Sequence, residues 1–178
     1  EVKQFFNKIP KDSLPYFSTE VQVGQLVMKP EPGAEQLGKV ERQLLEIRGK
    51  ILRGTETFEN MARRYSEDPG SGSRGGQLPF YKRCELAPEF EESAMTMEVG
   101  ELSMPVKSDF GYHLIELQER RGNTFRSRHI LIIPKPSADD INVAENKLDS
   151  IRNLIFDSLT TFRVAAKEFS ADKETASN

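Results

Sequence analysis

The sequence predicts an α+β domain with a small, mostly antiparallel sheet flanked by helices, followed by an incomplete second copy of that domain. Two observations carry this prediction. The chain resembles itself at one fixed offset, and its apolar residues alternate between strand-like and helix-like spacings in the order β-α-α-β-α-β-β. A length of 178 residues accommodates one large domain or two small ones.

The internal repeat is strongest where two prolines align in one register. Residues 25–32 match residues 129–136 at an offset of 104, the difference between positions 129 and 25. The register then continues without a gap through an apolar helical pattern. The period is much longer than the roughly 20–50 residues of solenoid units and is the size of a small domain. Matched pairs include Leu44 with Leu148, Ile47 with Ile151, Phe58 with Phe162, Ala62 with Ala166, Ser66 with Ser170 and Asp68 with Asp172.

The repeat sets the expected domain boundaries. Residues 1–19 are expected to be the end of a preceding helical segment plus a linker. Residues 20–121 are expected to form a complete domain, and residues 122–178 the N-terminal half of a second one. Half a domain buries too little surface to fold well alone. We therefore expect the natural polypeptide to be longer.

The first half of the complete copy is predicted as one strand and two helices. Val21–Met28 is rich in β-branched residues and is closed by prolines, so a strand is expected there. Apolar residues at spacings of three and four predict a helix over Glu35–Leu52. A second helix is expected to begin near Thr57, a suitable N-cap residue. The glycine-rich stretch 66–76 is predicted to be a loop.

The second half is predicted to supply most of the sheet. A short apolar stretch spans Gln77–Tyr81, and a short helix is expected after Pro88. Strands are predicted over Leu102–Val106 and Tyr112–Leu117, separated by a turn. On the last strand, period two places His113 on one face with two aliphatic residues, so its side chain is expected to point inward. That pattern fits either a core histidine bonded to a neighbour or a site residue.

Composition argues against several function classes. Lys plus Arg is 25 and Asp plus Glu is 28, so the basic excess of a nucleic-acid-binding surface is missing. The longest apolar run, Ile130–Ile133, is far shorter than a membrane span of about 20 residues. A single cysteine, Cys84, excludes an internal disulfide. Neither metal-ligand spacing nor a phosphate-binding glycine motif is present, so we expect neither a metal site nor a phosphate site.

Five separated motifs occur in a fixed order along the first copy. They are Phe58…Ala62, Ser66-Glu67-Asp68-Pro69-Gly70-Ser71, Gly75-Gly76-Gln77-Leu78, Pro88-Glu89-Phe90 and Phe110-Gly111-Tyr112-His113-Leu114-Ile115. Together they resemble the parvulin family of rotamases over about residues 20–119. The tandem arrangement is similar to the SurA family of periplasmic folding chaperones.

The resemblance implies a parvulin-like (FKBP-like) fold and a peptidyl-prolyl cis–trans isomerase that needs no cofactor. It implies proline-containing, unfolded or partly folded polypeptides as partners, unfolded outer-membrane proteins among them. It also implies a periplasmic location. Nucleic acid and metal are not expected partners.

The resemblance also assigns site residues. Asp68, Ser108 and His113 form the polar set, in which Asp68 either polarises the amide or takes a histidine proton. Tyr112 is expected to bind the substrate backbone. The apolar slot for the proline ring comprises Leu78, Leu86 and Phe90, with Phe110 as a wall.

One position departs from the family pattern. Gln25 stands where the family has a histidine in the first strand, and it can hydrogen-bond but cannot become cationic. The second copy has His129 at that position and Asp172 in place of Asp68. The first copy is therefore expected to be weak or inactive. Two functions stay open, an isomerase and a chaperone module that binds peptides in the same groove without turnover.

Overall fold

A computed structural model describes residues 23–175 of the chain. The prediction for residues 1–19 lies outside these described residues. The chain divides into two compact units, one formed by Lys29–Ser150 and the other by Glu1–Met28 together with Ile151–Asn178. Among the described residues, no helix combines the length and the apolar character needed to cross a membrane.

The described residues form five helices, one short 3-10 turn and four strands. In chain order they are α1 (Ala34–Leu52), α2 (Phe58–Tyr65), the 3-10 turn (Gly72–Arg74), β1 (Gln77–Lys82), α3 (Pro88–Thr96), β2 (Val106–Ser108), β3 (Gly111–Arg121), β4 (Thr124–Ile132), α4 (Ala138–Phe156) and α5 (Phe162–Phe169).

The predicted fold class is confirmed. The four strands form one sheet in the order β1-β4-β3-β2, with every pair antiparallel. The three predicted helices of the first copy are all present, and the Thr57 hydroxyl accepts a hydrogen bond from the Asn60 amide at 3.2 Å, as an N-cap should.

Two predicted strands are wrong. Residues 23–28, the described part of the strand expected over Val21–Met28, form no strand. The strand expected over Leu102–Val106 is reduced to a single bridge between Leu102 and Glu116, and β2 begins only at Val106. In both places the sequence favours extended backbone, but a strand forms only where the tertiary structure supplies a pairing partner.

A two-residue turn decides which segment lies beside β3. Arg121 pairs with Thr124, so only Gly122 and Asn123 connect β3 to β4. Antiparallel neighbours are the strands that so short a loop can join. Residues 124–132 therefore fold back onto β3, and the first strand of the second repeat becomes part of the sheet of the first.

The sheet has an apolar cluster on each face, as strand alternation requires. α1 and α2 pack on one face and α3 on the other. The cluster of the first face contains Val40, Leu44, Ile47, Phe58, Met61, Ala62, Leu102, Leu114, Ile130 and Ile132. The cluster of the second face contains Phe90, Ala94, Met97, Ile115, Leu117 and Phe125.

Truncation of Leu114 tests how much the first cluster contributes to stability. Its side chain is fully buried, so Leu114→Ala is expected to lower the free energy of unfolding by about 2–5 kcal/mol. Leu52 is 59% exposed, and Leu52→Ala is expected to change stability by only about 0.5 kcal/mol. Urea denaturation followed by circular dichroism measures both; equal losses would contradict the assigned core.

Candidate functional site

A pocket of about 380 Å³ lies over the second face of the sheet, between the loop after α2 and the start of α3. Most of its lining side chains are apolar, and its polar side chains come from a glutamate and an aspartate of the loop and from two histidines on adjacent strands. The lining residues are Glu67, Asp68, Pro69, Leu78, Leu86, Ala87, Phe90, Phe110, His113, His129, Leu131 and Ile133.

Four polar side chains form a continuous hydrogen-bonded relay at this pocket. His129 Nε2 lies 3.0 Å from Asp68 Oδ2, and the two histidines meet through their Nδ1 atoms at 3.2 Å. At the other end, His113 Nε2 lies 2.7 Å from Ser108 Oγ. The relay therefore runs from Asp68 through His129 and His113 to Ser108, from the loop after α2 to the end of β2.

Asp68 is fixed by a turn of its own backbone. Its Oδ1 accepts the Gly70 amide at 3.0 Å, and its Oδ2 accepts both the amide and the hydroxyl of Ser71. Burial raises the pKa of the Asp68 carboxyl, but hydrogen bonds from the Ser71 hydroxyl and His129 outweigh that effect and bring the pKa down to about 2. Asp68 is therefore an anion at neutral pH.

Both histidines are neutral at neutral pH. Burial lowers the pKa of His113 to about 4, with a contribution from the neighbouring His129 and opposition from the charge of Asp68. Burial also lowers the pKa of His129, although the hydrogen bond and the charge of Asp68 act in the other direction. The cost of desolvating an imidazolium thus exceeds the attraction of a single carboxylate.

The contacts of the relay determine which ring nitrogens carry protons. An ionised carboxylate only accepts hydrogen bonds, so His129 Nε2 carries the proton and its Nδ1 is a lone pair. His113 Nδ1 must then donate to that lone pair, which leaves His113 Nε2 to accept the Ser108 hydroxyl. The Ser108 oxygen in turn accepts the Phe110 amide at 3.2 Å. Every polar hydrogen of the relay has an acceptor.

Phe90 and Leu86 hold the apolar side of the site. The Phe90 ring stands edge-on to both imidazoles, with centroids 5.5 Å from His113 and 5.6 Å from His129. The Glu91 carboxylate accepts the consecutive backbone amides of residues 84–86 at 2.8–3.0 Å. This clamp fixes the loop that carries Leu86 into the pocket wall.

Gly76 lets β4 come close to the site loop. It has a positive φ of 78°, and a Cβ there would lie 2.2 Å from the His129 carbonyl oxygen. The His129 amide donates to the Gly76 carbonyl at 2.9 Å. Any other residue at position 76 would push away the strand that carries His129.

The structure brings together seven of the residues predicted for the site of the first copy and leaves two apart. Tyr112 packs against the first-face cluster, on the side of the sheet opposite to His113. Gln25 is exposed and belongs to the compact unit that also contains Asp172. The seven that meet at the pocket and relay are Asp68, Ser108, His113, Leu78, Leu86, Phe90 and Phe110.

Sequence reasoning did not place His129 in this site, because it assigned that residue to the second copy. A signal was present: a Gly-Asn pair at 122–123 between two strand-like segments is typical of a hairpin. Ser71 and the apolar residues Leu131 and Ile133 were also missed. Ser71 is the last residue of the 66–71 motif, but its hydrogen bond to Asp68 depends on the folded turn.

No cofactor-binding group is evident in the part of the chain that the structure describes. Within residues 23–175, no three His, Cys, Asp or Glu side chains are grouped so as to hold a metal ion. The pocket is thus an apolar slot, and the relay forms a polar network along its floor. Asp68 is the one charged member of that network.

A family model described as the PPIC-type PPIASE domain matches residues 26–119 and, a second time, residues 129–178. The chain belongs to this rotamase family. The two matched regions agree with the repeat seen in the sequence, and the family identifies the parvulin-type fold of the sheet and its helices.

Curated relatives carry the names of foldases and chaperones. Foldase protein PrsA 4 of Bacillus cereus is 39% identical over 111 residues, which cover 62% of this chain and 36% of the relative. Chaperone SurA of Salmonella paratyphi A is 32% identical over 168 residues, covering 89% of this chain and 39% of the relative. The chain thus spans well under half the length of either relative.

A solved structure of peptidylprolyl isomerase PrsA from Bacillus cereus also aligns with the chain. It is 34% identical with a TM-score of 0.43, and the alignment covers 74% of this chain and 46% of that one.

Nuclear magnetic resonance of the two imidazoles tests the proton assignment. The chain contains two histidines, so long-range ¹H–¹⁵N spectra show two rings, and single substitutions assign them. We expect His129 protonated at Nε2, His113 protonated at Nδ1, and the pKa of His113 near 4. An imidazolium signal at pH 6.5 for either ring would contradict the neutral relay.

The same protonation behaviour predicts how stability depends on pH. Because the pKa of His113 falls from 6.5 to about 4 on folding, the unfolded state binds more protons between those values. The contribution of neutral His113 to the free energy of unfolding is therefore fully present above pH 6.5 and is lost as pH falls toward 4. The pKa of Asp68 falls from 3.8 to about 2 on folding, so the contribution of its carboxylate is lost at still lower pH.

Urea midpoints from pH 8 to pH 4 measure this dependence. The double variant His113→Gln, His129→Gln is expected to flatten the curve between pH 6.5 and 4, because no imidazole remains to titrate. Glu41→Gln on the exposed face of α1 is the control and is expected to keep the slope of the unaltered protein. An unchanged slope in the double variant would show that other groups cause it.

Proposed function

We propose that the chain is a peptidyl-prolyl cis–trans isomerase that acts on X-Pro bonds of unfolded or partly folded polypeptides at the pocket described above. The observation that carries this proposal is the relay Asp68–His129–His113–Ser108 along the floor of an apolar pocket. Membership of the rotamase family supports the reaction class.

The reaction requires little more than a selective binding site. Its barrier, roughly 18–20 kcal/mol for an ordinary peptide bond, comes from the partial double-bond character of the amide. A catalyst lowers the barrier by binding the twisted amide more tightly than the planar one. The twisted amide has lost its resonance and is less polar, so a pocket shielded from water favours it over the planar form.

The lining residues fit this task. Leu78, Leu86 and Phe90 form apolar walls around a space of about 380 Å³, in which a proline ring can be held. His113 and His129 present neutral ring edges to the same space, so the slot gains polar partners without an imidazolium that would draw in water. Asp68 anchors this pair from one end and Ser108 from the other.

A non-catalytic peptide-binding role is the second candidate, and one observation favours it. Phe110 lines the pocket yet is 66% exposed, and Ile133 beside it is 43% exposed. Exposed apolar side chains at a pocket rim are typical of surfaces that bind other polypeptides. The same groove therefore suits the holding of apolar segments of an unfolded chain.

The names of the relatives support a folding-chaperone context. We propose that the chain serves in a chaperone of the periplasm or cell envelope and that its clients include unfolded outer-membrane proteins. The matches to Chaperone SurA and Foldase protein PrsA motivate this proposal. An aggregation assay tests it: the protein should delay aggregation of an unfolded outer-membrane polypeptide more than that of an unfolded globular enzyme, and equal effects would argue against this client class.

Site substitutions separate turnover from binding. Asp68→Asn, His113→Gln and His129→Gln each remove a relay hydrogen bond worth about 0.5–1.5 kcal/mol, so each is expected to slow catalysis by up to about tenfold. Peptide affinity is expected to change less, since the apolar walls stay intact. NMR exchange on an X-Pro peptide measures both quantities, because uncatalysed exchange takes tens to hundreds of seconds.

Glu41→Gln is the matched control and is expected to retain full activity. Phe90→Ala is expected to weaken peptide binding as well as turnover, because it removes a pocket wall. If the unaltered protein binds the peptide but leaves exchange slow, the binding-module function replaces the isomerase. If none of the relay variants changes the rate, the relay has no role in turnover.

A further inference from the structure

The helices of the second repeat match the first two helices of the first repeat at one fixed interval. α4 and α5 begin and end 104 residues after α1 and α2, since 138 follows 34 and 162 follows 58 at that interval. Thr161 caps α5 through the Val164 amide at 3.4 Å, as Thr57 caps α2. These two helices are therefore repeated in structure as well as in sequence.

The aspartate turn is also copied. In the first repeat, Asp68 accepts the Gly70 amide through Oδ1 and the Ser71 hydroxyl through Oδ2. At an offset of 104, Asp172 accepts the Glu174 amide through Oδ1 at 3.1 Å and the Thr175 hydroxyl through Oδ2 at 2.6 Å. The carboxylate of the second repeat is thus held in the same way as that of the first.

Each aspartate turn holds an extended segment, and that segment comes from the other repeat. Beside Asp68, the Leu131 amide donates to Ser66 Oγ at 3.2 Å, and the Glu67 amide donates to the Leu131 carbonyl at 2.7 Å. Leu131 belongs to the second repeat by sequence. This pair of contacts fixes β4 in the sheet of the first repeat.

The reciprocal pair of contacts appears within the other compact unit. There the Val27 amide donates to Ser170 Oγ at 3.3 Å, and the Ala171 amide donates to the Val27 carbonyl at 2.7 Å. Val27 belongs to the first repeat by sequence. Val27 thus occupies the place in the second repeat that Leu131 occupies in the first.

A second contact confirms the register. In the sheet of the first repeat, the Arg128 guanidinium lies over the Phe58 ring at 4.6 Å from its centroid. At the same offset, Arg128 corresponds to Gly24 and Phe58 corresponds to Phe162. The Phe162 ring lies so close to Gly24 that a Cβ added to this glycine would be 2.7 Å from the ring. Two independent contacts therefore align residues 24–27 with residues 128–131.

We propose that the two repeats exchange their first strands, so that the first repeat takes His129 from the second and the aspartate turn of the second repeat takes Gln25 from the first. His129 lies two residues before Leu131 and meets Asp68. Gln25 lies two residues before Val27, and the same register directs it to Asp172.

The exchange reverses which repeat has the full set of polar groups. The first repeat gains a second imidazole and completes its relay, although its own strand carries glutamine. The second repeat receives an amide, which donates to a carboxylate but cannot take up a proton to form a cation. The partner that the Asp172 carboxylate receives therefore cannot become cationic, unlike the imidazole of His129 beside Asp68.

Engineered disulfides in the full chain test the exchange independently of activity. Cys84 is replaced by serine so that only introduced cysteines react. The pair Val27→Cys, Ala171→Cys is expected to form an intramolecular disulfide under mild oxidation, as is Glu116→Cys, Arg128→Cys across β3 and β4. The matched pair Val27→Cys, Glu67→Cys corresponds to unexchanged strands and is expected to stay reduced.

Non-reducing electrophoresis at low protein concentration and mass spectrometry of the peptides identify each link. A Val27–Glu67 disulfide that forms as readily as the Val27–Ala171 one overturns the proposal, and so does failure of either expected link or formation of links between two chains. On the unaltered protein, nuclear Overhauser contacts from the Ala171 amide to Val27, rather than from the Glu67 amide to Val27, give the same answer without substitution.

Discussion

The two-residue connection at Gly122–Asn123 is the constraint on which the site depends. Because β3 and β4 are joined by so short a loop, β4 must lie antiparallel beside β3. That pairing places Leu131 opposite His113 and His129 opposite Ile115, on the face that carries the pocket. Two imidazoles from adjacent strands then meet through their Nδ1 atoms. A longer connection would have left position 129 free to join another sheet.

Burial of an uncharged histidine pair against one carboxylate gives the site its chemical character. A lone buried carboxylate would be costly, but Asp68 is held by its own turn and by His129. The histidines avoid the cost of a buried cation by staying neutral, and each still has a partner at both nitrogens. Every hydrogen-bonding group of the network therefore has a partner, although the surrounding wall is apolar. A buried polar network that is fully hydrogen-bonded makes a fold more rigid, whereas one with unpaired groups destabilises it.

The local elements of this protein could be predicted from the sequence because short-range chemistry controls them. The apolar stripe of α1, the threonine cap of α2 and the proline that begins α3 each act within a few residues. The resemblance to the parvulin family implied four of the apolar pocket residues and three relay members, but not Leu131 or Ile133. Tyr112 was expected at the substrate, but strand alternation puts it on the opposite face from His113. The alternation of a strand could have predicted this, but Tyr112 was placed at the site because it is the sequence neighbour of His113.

Strand partnership was not predictable from the same patterns. Residues 23–28 and residues 124–132 are both apolar segments that could pair with β3. The spacing of their apolar residues does not show which of them does so. The choice depends on loop length, on the cross-strand pair of Glu116 with Arg128, and on the close approach of β4 to Gly76. The sequence by itself determined the repeat, the helices and the chemical types at the site. Only the tertiary structure decided which repeat supplies the second histidine, because strand pairing is set by contacts between residues far apart in the chain.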